Sequence, residues 1–76
     1  MEAERAFLSF VADVMSVPPE SLSLATTMAT CPAWDSVMHI RLVLEIGARY
    51  GVDIPLETIP TLTTLADFFR CVQAEV

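Results

Sequence analysis

A chain of 76 residues makes one domain, and a domain this small buries only about 60% of the surface its unfolded chain exposes, so a deep catalytic cavity is not expected. Ten acidic side chains against four basic ones leave a formal charge of −6, which repels phosphate backbones and anionic lipid heads and so argues against nucleic acid and membrane surfaces as partners. Apolar residues make up 54% of the chain, enough for a core and too many for a disordered tail.

The opening stretch MEAERAFLSF carries acids where a secretory signal needs a basic region, and no apolar run approaches the roughly 20 residues that span a bilayer. This predicts a cytoplasmic protein, in whose reducing surroundings Cys31 and Cys71 are expected as free thiols, with a structural disulfide between them the alternative. Two cysteines and a single His, far apart in the chain, form no recognisable metal site.

From Glu2 to Met15 the apolar residues Ala3, Ala6, Phe7, Phe10, Val11 and Val14 recur at three and four, the period of an amphipathic helix. Pro18 and Pro19 stop it. The following connection, VPPESLSLATTMATCPAWD, is long for a compact domain, and such loops are functional or packed by their own side chains. Leu22, Leu24 and Met28 are expected to supply that packing.

A second helix is predicted from Ser36 to Tyr50, closed by Gly51. Its wheel gathers Ile40, Val43, Gly47 and Tyr50, with Ile46 at the edge, into an expected core face. Val37, Leu44 and Ala48 form another apolar stripe that a single core face does not require. Met38, Arg41, Glu45 and Arg49 read as the solvated side, with Arg41 and Glu45 at ion-pair spacing. Residues 56–60, LETIP, have room for a turn or two of helix, and Thr64 with Asp67 makes a capping-box variant before Leu65, Phe68, Phe69 and Val72. The fold class is all-α: a four-helix bundle of three main helices and one short one.

Chemistry concentrates at CPAWDSVMHI. Asp35 and Ser36 are both residues that cap helices; alternatively the Ser36 hydroxyl is itself modified, since a phosphate ester there meets unpaired amides and the positive helix end. His39, three residues on, invites a test as a base for Ser36. It lies nearer the core than the solvent, and its expected role is a partly buried histidine hydrogen-bonded to the long loop. Trp34 either anchors that loop in the core or stands out as a docking aromatic.

The order of these signals resembles that of the acyl carrier proteins over nearly the whole chain. The elements that carry the resemblance are SLSLATTM in the long loop, DSV opening the second helix, RYGVDIP at its close and TLTTLADFF opening the last. The resemblance implies a 4′-phosphopantetheine arm on Ser36, installed from coenzyme A with Mg²⁺ by a phosphopantetheinyl transferase, with an acyl or aminoacyl thioester on the arm. It implies a discrete, monomeric carrier without catalytic activity, served by a loading ligase and downstream acyl-processing enzymes. Asp35 is then cap and recognition element, and Val37, Leu44, Arg41 and Trp34 are docking residues. The second helix departs from the acid-rich fatty-acid type in carrying His39, Arg41 and Arg49 with only Glu45, which points to a dedicated enzyme set in specialised biosynthesis. RLVLEIGARYGVDIP also resembles the D-alanyl carriers, and an unmodified helical interaction module is the alternative from another class.

Overall fold

The computed structural model describes residues 2–74. Helix α1 spans Glu2–Met15 and buries Phe7, Val11, Ala12 and Met15, a stripe at four, one and three. Phe10 and Val14 pack against its edge, whereas Ala3 and Ala6 are exposed. The helix ends at Ser16, whose φ of 60° is left-handed, and the Val17 N–H reaches back to the Ala12 carbonyl at 3.0 Å. A left-handed residue here lets two orphan carbonyls find donors, and in a non-glycine it carries strain.

The connection over residues 16–35 is ordered by local bonds and by what it covers. Pro19–Ser21 forms a short 3-10 turn, the Thr26 hydroxyl accepts the Ser23 N–H at 2.9 Å, and the Thr30 hydroxyl accepts the Thr27 N–H at 3.0 Å. Leu22, Cys31 and Trp34 are buried and Leu24 is packed beside them. Met28 does not join them, being 40% exposed. Two loop carbonyls do a further job: Leu24 accepts from the Ala66 N–H at 2.9 Å and Thr26 from the Leu65 N–H at 3.2 Å. These are orphan donors of the last helix, so the loop caps it.

Helix α2, Ser36–Tyr50, starts at an Asp35 cap and stops at Gly51 with φ 67°. Its buried residues are His39, Leu42 and Ile46. The core face is therefore turned by roughly 70–90° from the expected one, at about 100° per residue, and Ile40 is 48% exposed rather than core. Met38, expected in solvent, is half-buried against the core. The reason is that α2 is apolar almost all round its first three turns, so spacing alone fits more than one face, and a histidine with both nitrogens satisfied settles which one faces inward. Gly47 permits a close approach: a Cβ there would lie 3.0 Å from the Val52 carbonyl oxygen, which would have to give way slightly.

The expected short helix is a 3-10 segment, Leu56–Thr61, that contains Pro60. Helix α3, Leu65–Ala74, opens with the capping box: the Asp67 carboxylate accepts from the Thr63 and Thr64 amides and the Asp67 amide donates to the Thr64 hydroxyl at 3.2 Å. Leu65, Phe68 and Val72 complete the core. Among the described residues there is no strand, only one isolated bridge between Thr27 and Thr64. The all-α expectation holds.

Aromatic rings gather at two ends of this bundle. Phe7, Phe10, Tyr50 and Phe69 meet near the C-terminal end of α2, with the Arg49 guanidinium 5.7 Å from the Phe10 ring centre. Trp34, His39 and Phe68 meet near its N-terminal end.

Candidate functional site at the start of α2

Asp35 has extended backbone, and its carboxylate accepts the Met38 N–H at 2.8 Å, while its carbonyl accepts the first helical bond from the His39 N–H at 2.8 Å. Capping is thus done by Asp35, not by Ser36. The amides of Ser36 and Val37 are left without an acceptor among the described residues. Ser36 is exposed, and its hydroxyl forms no hydrogen bond there either. A phosphate ester on this oxygen fits what surrounds it: two free N–H donors and the positive end of a 15-residue helix.

Behind the exposed pair the structure is closed. Trp34 is 2% exposed, which corrects its expected place among the docking residues: a ring sealed in the core offers a partner no surface. Its Nε1–H donates to His39 Nδ1 at 3.1 Å, and His39 Nε2 lies 2.9 Å from the Ile59 carbonyl oxygen. An indole N–H only donates and a carbonyl only accepts, so both bonds form together in one tautomer, with Nδ1 bare and the proton on Nε2. His39 therefore bridges the end of the long loop to the 3-10 segment, rather than bonding to the loop alone. With both nitrogens engaged it is no base for Ser36.

Exposed apolar residues line the outer side of α2: Val37 at 78%, Ile40 at 48% and Leu44 at 68%. They follow one another at three and four, so they share a face that begins beside Ser36. Arg41 and Glu45 flank it as a mutual pair at 3.6 Å, which leaves that side of the helix nearly neutral. On the other flank a cleft of about 420 Å³ opens between the loop at Thr27 and Met28, His39, and the stretch holding Pro60 and Leu62. Among the described residues no group of three or more His, Cys, Asp or Glu is arranged to hold a metal, and no helix is long and apolar enough to cross a membrane.

The sequence pointed to Asp35 and Ser36 because capping chemistry is local. Ile40 was missed as part of the outer face, and the Trp34–His39–Ile59 chain was missed because its last member is 20 residues away.

The family model described as "Phosphopantetheine attachment site" matches residues 5–72, from the first turn of α1 to the buried Val72 of α3. No curated protein matches the sequence. The matched domain is a carrier rather than a catalytic domain, and its family bears 4′-phosphopantetheine as a covalently attached group. By a match over most of its length, on a helical bundle with an acid-capped serine at the head of its second helix, the chain belongs to the phosphopantetheine attachment-site family.

Proposed function

We propose that this domain is an acyl or aminoacyl carrier whose attachment point is Ser36, serving a dedicated set of biosynthetic enzymes in the cytoplasm. One observation above all supports the reading: an exposed, unbonded hydroxyl stands beside two free amides, directly behind an acid that already caps the helix. Once attached, the arm supplies a thiol on which cargo is held as a thioester, and the tether gives that cargo a high effective concentration at each enzyme. The chain's own residues do the rest. Asp35 holds the first turn of α2 rigid, Ser36 presents the oxygen, and the Ser36 and Val37 amides meet the diester's negative charge.

Docking of a phosphopantetheinyl transferase, a loading ligase and acyl-processing enzymes falls to Val37, Ile40 and Leu44, with Arg41 at the rim. The face is apolar and begins next to Ser36, so an enzyme reaching the arm must pass over it. Its near neutrality, with Arg41 tied to Glu45, supports partners other than the basic-faced enzymes that acid-rich carriers meet. An aminoacyl or D-alanyl cargo fits the same geometry.

The test is incubation with coenzyme A, Mg²⁺ and a transferase of broad specificity, read by intact mass. The wild-type chain is expected to gain one phosphopantetheine and Ser36→Ala none. A chain that stays at its starting mass, with the transferase active on a control carrier, would instead be an unmodified interaction module.

A further inference from the structure

We propose that the hydrogen bond between Trp34 and His39 is a positioning device for arm transfer to Ser36, an inference that rests on the carrier reading above. The Ser36 hydroxyl makes no hydrogen bond among the described residues, so its direction is set by the backbone that carries it and by the residues on either side. On one side Trp34 is held twice, by its N–H to the Cys31 carbonyl at 3.0 Å and by its indole to His39 at 3.1 Å. On the other side His39 is held by the Asp35 carbonyl and by Ile59. The indole–imidazole bond thus closes a ring of chain, residues 34–39, that contains Asp35 and Ser36 and joins them to the core.

The surroundings keep that bond directional. The Trp34 and His39 ring planes lie within 16° of each other with centres 5.9 Å apart, the near-coplanar geometry of an in-plane hydrogen bond, and Phe68 stands edge-on to His39 at 5.5 Å. Trp34 is 2% and His39 7% exposed, so water is a poor substitute partner for either nitrogen. An apolar side chain in place of His39 would fill the volume as well, because buried polar pairs gain little over apolar packing. What the polar pair adds is a fixed angle and distance between the loop end and the helix. Trp34 and His39 are positioning residues: they touch neither the reacting oxygen nor the donor, and act through the backbone that carries Ser36.

Three substitutions separate positioning from packing. Trp34→Phe keeps a large ring and loses the N–H. His39→Asn sets an oxygen where Nδ1 was, keeping an acceptor for Trp34 and losing the bond to Ile59. His39→Gln reaches Ile59 with its amide and abandons Trp34. All three perturb the core, so stability does not discriminate them; transfer kinetics do. Trp34→Phe and His39→Gln are expected to lower kcat for arm transfer by about tenfold with KM little changed, as a displaced nucleophile does, whereas His39→Asn stays within about threefold of wild type. If His39→Asn falls as far as His39→Gln, or if folded Trp34→Phe is modified at the wild-type rate, the proposal is overturned. The amide spectrum of the unmodified chain gives a readout free of the transferase: Trp34→Phe is expected to move the Ser36 and Val37 amide resonances, and unmoved resonances overturn the proposal. A wild-type chain that takes no arm would instead defeat the carrier reading.

Discussion

Phe68 is wholly buried, and its ring meets both Trp34, at 6.1 Å between centres, and His39. Replacing it with Ala removes the wall against which the polar pair rests, and is expected to cost about 3–5 kcal/mol in denaturant unfolding, the range for large aromatic truncations. Ile40→Ala is expected to cost less than about 1 kcal/mol, because roughly half of that side chain already lies in water. A loss of several kcal/mol on Ile40→Ala would return Ile40 to the core. The contrast also shows what a residue-level reading of the sequence reaches. Asp35 and Ser36 are legible because a cap depends on neighbours three residues away. The face of α2 is not, because it turns on His39. A histidine reads as semi-polar on a wheel, yet here it is buried by partners at positions 34 and 59 that no local pattern connects. For Trp34 the sequence leaves an anchoring and a docking role both open, because a ring beside a helix start packs inward or outward according to what waits in the core, and the structure takes the anchoring one.

At the scale of elements, α3 shows how local and distant signals divide the same task. Its capping box is legible from Thr64 and Asp67 alone, but the donors at Leu65 and Ala66 are satisfied by carbonyls some 40 residues earlier in the chain, at Thr26 and Leu24. The long connection between α1 and α2 thus has a structural reason for its length: it must run back across the start of α3. Burial pulls the Asp67 carboxyl upward, but the Thr63 and Thr64 amides, the Thr63 hydroxyl and the Arg70 guanidinium together hold it below its ordinary 3.8. The fold therefore favours the ionised form. That contribution is complete above pH 3.8 and is lost as the pH falls through the lowered native value. Asp67→Ala is expected to cost about 1 kcal/mol at neutral pH. The gap between wild type and variant should narrow in thermal melts taken at successively lower pH below 3.8. A gap that stays constant into strong acid would show that Asp67 acts through its backbone propensity and not through its charge.

On the scale of the whole molecule, the chain's charge of −6 and its proposed docking face pull apart. Acids lie on α1 at Glu2, Glu4 and Asp13 and in the segments around Glu20, Asp53 and Glu57, while the outer side of α2 offers Val37, Ile40 and Leu44 with an ion pair that cancels itself. Global charge steers diffusional encounter, and apolar contact decides how long a complex lasts. Recognition that depends on the α2 face should thus respond to truncation of its centre and resist salt. Leu44→Ala is expected to raise KM for the transferase by about tenfold, as central apolar contacts do when truncated. Because 68% of the residue is exposed, the melting temperature should fall by less than about 4 °C. Raising salt from about 50 to about 500 mM should change the wild-type KM by less than about threefold, since screening acts on the exposed charges and not on this face. The opposite pattern, a steep salt dependence with Leu44→Ala indistinguishable from wild type, would move docking off the apolar face of α2 and onto exposed acids elsewhere on the chain.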